Sequence, residues 1–376
     1  MAANIPPEVF ELIIDCVGFT NLPTQSLLAC ALVRRSWLPR SQRNLWRVVT
    51  FGKDRQLHLF HVALKAHPGN AELVRELNIV WRRTWDKGTL QRILNFPFVL
   101  ARRLPNLQSI AVHSALQERT PILMTPKFFV ALGEFSVCHL ILNALRFRSS
   151  NDFCRVILAL PRLSELECYD IRWEYNSPFF AGYPNGNLKL VSLSVGELTA
   201  EVLSQLLQIM DPALQHLKLD CTDLCYEDLG PRLLSGPGPP SPTTRNHWRS
   251  RLNGLLGRFE ALITPEIRVL LPLSDGAPGP ADILSPIKSK SLNNVTFQLS
   301  KAHIDLESST ELSILNNSLD DVLSGDQMPR LKEVSFIFRF DEASTDHKRY
   351  IDQVTRRLPK LAARDGVQIT VRLEAL

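Results

Sequence analysis

At 376 residues with 45% hydrophobic content, the chain exceeds one typical domain and can bury a substantial core. Its net charge of +5, from 43 Lys and Arg against 38 Asp and Glu, is mild for this length and comes with no dense basic tract, which argues against nucleic-acid binding. No positively charged start leads into an apolar run, no stretch approaches the roughly 18 unbroken apolar residues of a spanning helix, and the seven cysteines are scattered. The expectation is a cytoplasmic or nuclear protein without a membrane segment, its cysteines serving as small buried hydrophobes. Cys221 and Cys225 are the only close pair and lack further ligands at zinc spacing. The sequons at Asn294 and Asn316 match the glycosylation pattern, which matters only in a secreted chain.

The first predicted element is "IPPEVFELIIDCV". A helix here gathers Val9, Leu12, Ile13, Cys16 and Val17 on one side, and Pro6 and Pro7 stand at its start, where proline is tolerated. "TQSLLACALV" predicts a second short apolar helix and "SWLPRSQRNLW", from Ser36, a third. Three short helices over this length are too few to build a stable core alone, so they need a partner surface. Arg34, Arg35, Arg40, Arg43 and Arg47 read as a solvated face, because Trp37, Leu38 and Leu45 between them are needed for packing. His58 and His61 in "HLFHVALKAH" are three apart on a predicted helix, but no carboxylate or cysteine cluster accompanies them, and no metal or other cofactor is expected.

Beyond these helices the pattern apolar-x-x-apolar-x-apolar recurs. It appears as "VRELNI" from Val74, "LQSIAV" from Leu107, "VCHLIL" from Val137, "LSELEC" from Leu163, "LKLVSL" from Leu188, "LQHLKL" from Leu214, "LNNVTF" from Leu292 and "LKEVSF" from Leu331. Starts lie about 25 to 39 residues apart, except for one gap of about 78, overlapping and somewhat exceeding the roughly 20 to 29 of leucine-rich repeats. Within each match the last two apolar positions alternate with polar ones: Leu77 and Ile79 against Glu76 and Asn78, Leu166 and Cys168 against Glu165 and Glu167, Leu217 and Leu219 against His216 and Lys218. That alternation predicts a half-exposed strand.

Between strands, "LQRILNFPFVLARRL", "TPKFFVALGEF", "SNDFCRVILAL" and "TAEVLSQLLQI" predict amphipathic helices, two of them opening on Thr125-Pro126 and Ser150-Asn151-Asp152. Strands joined through helices run parallel, and units that cannot bury their apolar faces alone must stack. The expected fold is therefore α/β: three N-terminal helices, then an irregular βα solenoid with parallel strands. Irregularity is expected because the position three residues after the last strand leucine, where a regular repeat carries Asn or Cys, holds Arg82, Ala115, Leu145, Ile171, Gly196 and Thr222.

The long gap contains "GPRLLSGPGPPSPTTRNHW", a flexible insertion at about 230–247 that is expected to be dispensable for folding. "RLNGLLGRFEALI" and "EIRVLLPL" then read as a degenerate repeat, the competing reading being disorder running to 285.

Ile5-Pro6, Glu8, the apolar helix to Val17, Leu32-Val33, Trp37 and Leu45-Trp46 together resemble an F-box, particularly the fungal-type F-box-like sequences with "WLPRS" after the second helix. The likeness spans residues 4–47, leaves 48–376 as a leucine-rich-repeat-like region, and departs from the family at Ile5, usually leucine, and at Arg34, often cysteine. It implies a substrate-recognition adaptor of an SCF-type (cullin-RING) ubiquitin ligase. Ile5, Pro6, Glu8, Val9, Ile13, Leu32, Val33 and Trp37 would form or support the face for a Skp-type linker, and through it a cullin. The alternative is a repeat scaffold that binds a protein partner unconnected to ubiquitin. No enzymatic activity is expected, since the chain has no Walker loop, no GxSxG and no HExxH. For the protein substrate, aromatic and arginine residues just past two strands stand out: Trp81, Arg82, Arg83 and Trp85, and Arg172, Trp173 and Tyr175. They either bind it or fold back to seal the core; in the second case the exposed strand face with Glu165, Glu167, His216 and Lys218 is the next candidate.

Overall fold

A computed structural model describes residues 6–18, 23–81, 94–114, 121–175, 188–196, 200–220, 254–270, 280–300, 315–340 and 347–375. The chain divides into two compact units, residues 1–148 with 155–163, and residues 149–154 with 164–376.

The first unit opens with helices α1 (Pro7–Val17) and α2 (Pro23–Val33), a 3₁₀ turn at Arg35–Trp37, and α3 (Leu38–Arg47). Strand β1 (Val48–Phe51), helix α4 (Asp54–Ala66), β2 (Glu76–Trp81), α5 (Phe96–Leu100), β3 (Ser109–Ser114), α6 (Pro126–Leu132), β4 (His139–Asn143) and β5 (Arg146–Ser149) follow. Strands β1 to β4 are parallel and hydrogen-bonded in chain order, and their register aligns Phe51, Ile79, Val112 and Leu142 in one buried row. Such a row is what the alternation in each motif requires, since residues two apart share a face.

Helix α7 (Ser150–Leu158) gives residues to both units. The second unit continues with β6 (Glu165–Tyr169), β7 (Arg172–Tyr175), β8 (Ser192–Gly196), α8 (Ala200–Ile209), β9 (His216–Asp220), β10 (Thr264–Leu270) and α9 (Pro280–Leu284). It ends with β11 (Asn294–Ser300), α10 (Asn317–Ser324), β12 (Glu333–Phe340), α11 (His347–Arg357), α12 (Pro359–Ala362) and β13 (Gln368–Ala375). Its parallel strands run β6, β8, β9, β10, β11, β12, β13, with Cys168, Val195, Leu219, Ile267, Phe297, Phe336 and Val371 in register and buried. Phe297 stacks on Phe336 with ring centroids 5.2 Å apart. The architecture is an α/β, leucine-rich-repeat-like stacking of parallel strands behind N-terminal helices.

A shared backbone signature recurs along the repeat. The residue before a strand offers its carbonyl to the two amides that start the next: Arg75 to Gln108 and Ser109, Val191 to Gln215 and His216, Ile263 to Asn293 and Asn294. This signature corrects one motif. The fifth match, placed at Leu188, is in fact Leu190-x-x-Leu193-x-Val195: Leu193 and Val195 are buried, while Val191 is 39% exposed. A shift of two residues keeps the same face inward, so the strand prediction survives while its boundary moves. Four of the described strands lie outside the predicted motifs: β5, β7, β1 with Trp46-x-x-Val49-x-Phe51, and β13, where Gly366 at φ +80 takes the place of the leading apolar residue. Strand β10 pairs with β9 and β11, so the described part of the long gap is a repeat unit; residues 221–253, which contain the predicted insertion together with Cys221 and Cys225, lie outside the described residues.

The helices are shorter than periodicity suggested. Helix α5 stops after five residues because Ala101 is extended and Arg102 adopts a left-handed φ of 61°. Helix α7 is started by Ser149, whose Oγ accepts from the Asp152 amide at 3.2 Å. Thr125 occupies the N-cap of α6 without a side-chain bond, leaving Pro126 to set the first turn. Asn316, one of the sequon residues, caps α10 by accepting from the Leu319 amide at 3.0 Å. Helix α8 departs from an amphipathic pattern: among its described side chains even Ser204 and Gln205 are buried. Leu145 and Ile171, at the positions of the absent asparagine, are buried behind the left-handed residues Ala144 and Asp170, which accounts for uneven turns.

The cysteine expectation holds in part. Cys154 and Cys168 are buried, and desolvation pushes the Cys154 thiol up to about 12 and the Cys168 thiol upward as well, which makes both unreactive. Cys16, by contrast, is exposed.

Candidate partner-binding surfaces

Helix α1 turns its apolar stripe outward. Phe10 and Ile14 face in, Ile14 being 1% exposed and Phe10 lying 5.3 Å from Trp37 between ring centroids. Val9, Leu12 and Ile13 are 40%, 64% and 45% exposed. Helix α2 buries Leu27 and exposes Leu28, Leu32 and Val33, with Leu32 at 89%. An isolated exposed leucine needs no explanation, but this many on two adjacent short helices is an unusual amount of uncovered apolar surface. Leu12 and Leu28 belong to it although they were not among the sequence candidates; Leu12 stood in the stripe, while nothing in the apolar run of α2 distinguished Leu28 from Leu27.

Of the candidate linker residues, Pro6 and Glu8 are exposed, Val9, Ile13, Leu32 and Val33 lie on the uncovered face, and Ile5 is outside the described residues. Trp37 is half-buried, its ring lying against Phe10. Pro6, Pro7, Phe10, Ile14 and Trp37, with Glu11 and Arg34 beside them, line a depression next to this surface.

A polar clamp fixes α1 on α3. Arg40 Nε donates to Asp15 Oδ1 at 2.7 Å, a second guanidinium nitrogen reaches Oδ2, and Asn44 Nδ2 donates to Oδ1 at 2.8 Å. Arg40 is therefore a structural bridge rather than a member of a solvated arginine face. The hydrogen bond from Arg40, helped by Asn44, holds the Asp15 carboxyl down at about 2 against an ordinary 3.8. Because the folded value is the lower one, the clamp stabilises above about pH 4 and its contribution fades as pH falls toward 2. With both side chains about a quarter exposed, solvent screening reduces the gain to about 1–2 kcal/mol. Asp15→Asn is expected to lower stability by that amount at pH 7 and by almost nothing near pH 2, as read by denaturant unfolding at the two pH values.

Near α4, Arg103 donates to His61 Nδ1 at 3.1 Å, and desolvation together with that guanidinium holds the imidazole below its usual range. This histidine's ring is occupied in packing α4 against the chain after α5.

The residues past the strands divide between the units. Trp81 ends β2 in the first; Arg82, Arg83 and Trp85 lie outside the described residues. In the second unit Arg172, Trp173 and Tyr175 belong to β7. Arg172 is exposed and pairs with Asp170 at 2.7 Å, whereas Trp173 lies 6.0 Å from Phe153 between ring centroids and is half-buried. Trp173 thus has packing work, and its removal would disturb the core as well as any contact.

The exposed face of the second unit's strands carries a polar lattice of neighbouring hydrogen-bonded groups. Tyr169 Oη lies 2.6 Å from Ser194 Oγ, His216 Nδ1 is 2.6 Å from Thr264 Oγ1, and Lys218 Nζ and Gln298 Nε2 both reach Glu266 Oε1, at 2.8 and 2.6 Å. The small residues of β8, Ser192 and Ser194, leave a depression walled by Glu167, Tyr169, His216 and Lys218. At the end of β8 a Cβ on Gly196 would lie 2.8 Å from a Tyr169 ring carbon and 2.9 Å from Asp220 Cβ. Gly196→Ala is accordingly expected to displace the Tyr169 ring and cost about 1–3 kcal/mol, with the loss of stability measured by denaturation; an unchanged midpoint would mean the strand end adjusts freely.

Among the described residues no group of acidic, histidine or cysteine side chains has metal-binding geometry, and no helix is long and apolar enough to cross a membrane. No protein-family model matches the chain, and neither does any curated protein. Among solved structures, the chain is similar to the leucine-rich repeat-containing protein LegL7 from Legionella pneumophila, 13% identical, over 85% of this chain and 92% of that one, with a TM-score of 0.37. It is also similar to a structure of the Rad7 and Elc1 complex in yeast, 13% identical, over 96% of this chain and 91% of that one, with a TM-score of 0.31. Both superpositions are loose, and this chain's own register and burial define its architecture.

Proposed function

We propose that the protein is a substrate-recognition adaptor of an SCF-type ubiquitin ligase, in which residues 4–47 dock a Skp-type linker and residues 48–376 capture a protein substrate. The observation that carries this reading is the uncovered apolar surface of α1 and α2, with Leu12, Leu32 and Val33 each more than 60% exposed. Burying side chains of this size contributes about 1.5–3 kcal/mol each, enough for a stable complex once a complementary partner covers them. Val9, Ile13, Leu32 and Val33 make the contact, Trp37 and Ile14 hold it from beneath, and the Asp15–Arg40 clamp keeps α1 in place.

In this role the chain needs no chemistry of its own. Its contribution is proximity: a substrate held on the repeats is presented at high effective concentration to the ubiquitin-transferring subunits that the linker and cullin bring. The substrate would meet the polar lattice of the second unit's strands or the Arg172 side of β7, where polar and aromatic groups stand on rigid elements.

Mixing the purified chain with a purified Skp-type linker tests the reading. A complex that survives gel filtration is the expected result. Absence of a complex at micromolar concentrations would contradict it and leave a repeat scaffold unconnected to ubiquitin.

A further inference from the structure

The apolar surface has a charged end. Helix α2 contains no charged residue along its whole length, "PTQSLLACALV", and is followed at once by two exposed arginines. Arg34 is extended, at φ −155° and ψ 145°, directly after the 65% exposed Val33. Neither Arg34 nor Arg35 makes an ion pair among the described residues. Arg34 borders the same depression as Glu11, yet Glu11 is directed instead to Arg40 at 3.5 Å. Acidic side chains stand nearby, with Glu8 exposed and Glu11 56% exposed. The two arginines thus stand as a cationic end next to the exposed apolar residues of α2.

Resting on the docking reading above, we propose that Arg34 and Arg35 select a linker whose apolar docking surface is bordered by acidic side chains, and that they set the speed of docking while the apolar strip sets its duration. Charges at the edge of an interface act across a Debye length of roughly 10 Å at 0.1 M salt and speed encounter, whereas buried apolar contacts govern dissociation. Arg34 also stands where the F-box pattern often has cysteine, so this chain carries a guanidinium at the edge of the surface where relatives of that type would carry a small neutral group.

The test is stopped-flow association and dissociation of the full chain with a purified Skp-type linker at low and high ionic strength. For the unaltered chain, the association rate is expected to fall about tenfold between low and high salt. Arg34→Glu with Arg35→Glu should lower association at low salt by at least about tenfold, abolish its salt dependence, and change dissociation less than about twofold. Arg34→Gln with Arg35→Gln should give an intermediate rate, and the double lysine variant should retain the original one. Leu32→Ala with Val33→Ala should do the opposite, speeding dissociation while leaving association unchanged. If the glutamate and glutamine variants associate as fast as the unaltered chain, or faster, the inference is overturned while the docking reading stands. If the unaltered chain does not bind the linker at any salt concentration, the docking reading fails and this inference with it.

Discussion

Asp320→Ala is expected to loosen the C-terminal end of the second unit by roughly 3 kcal/mol. Asp320 on α10 is 1% exposed, and its two carboxylate oxygens accept from the amides of Lys360 at 2.9 Å and Leu361 at 2.8 Å. Those amides are the otherwise unpaired donors at the start of α12, where Leu358, in the N-cap position, makes no side-chain bond. The cap is thus supplied from 40 residues away. Removing it leaves both amides without this partner, the Leu361 amide in a buried place at about 1–3 kcal/mol and the more exposed Lys360 amide at less. Arg364, just past α12, donates to the Leu323 and Met328 carbonyls at 2.6 Å, so α12 and α10 form one assembly that leads into β13. Hydrogen exchange of the amides from Gln368 to Ala375 should accelerate roughly hundredfold in the alanine variant. Asp320→Asn keeps one carbonyl acceptor and should lose about half as much. Unchanged exchange in Asp320→Ala would show that α12 does not depend on this cap.

Neither Asp320 nor the Asp15–Arg40 clamp was visible in the sequence, and the reason is general. Apolar alternation repeats at short range and reports itself, so the strands from β2 to β12 in the repeat were readable from residues two apart. A carboxylate that bonds a group 25 or 40 residues away leaves no periodicity. The same distinction explains the strand misses: Trp46, Val49 and Phe51 lay where a helix was ending, and Gly366 has no side chain to show. It also explains α1 and α2. Periodicity located the stripe of Val9, Leu12 and Ile13 but not its direction, because an apolar stripe reads identically whether it faces a core or a partner. Only the burial of Ile14, with Phe10 half-buried against Trp37, shows that the inward face is the other one. In α2, apolar on nearly every side, the sequence offers no face at all, and Leu27 is buried while Leu28 and Leu32 are exposed.

That outward direction is the basis of the adaptor reading, and it yields the largest expected effect on binding. Leu32 and Val33 are so exposed that replacing both with aspartate removes almost no packing, and the thermal midpoint should stay within a degree or two of the original. At a linker interface the same change would bury two carboxylates against apolar surface. Truncation of a central contact commonly costs about 2 kcal/mol or more, and a desolvated unpaired charge costs further. Titration calorimetry of the full chain against a purified Skp-type linker, for the unaltered protein and for Leu32→Asp with Val33→Asp, tests the account most directly. The prediction is saturable binding that weakens at least about thousandfold in the variant, an effect of about 4 kcal/mol, with the fold intact; equal affinity in the two proteins would contradict it.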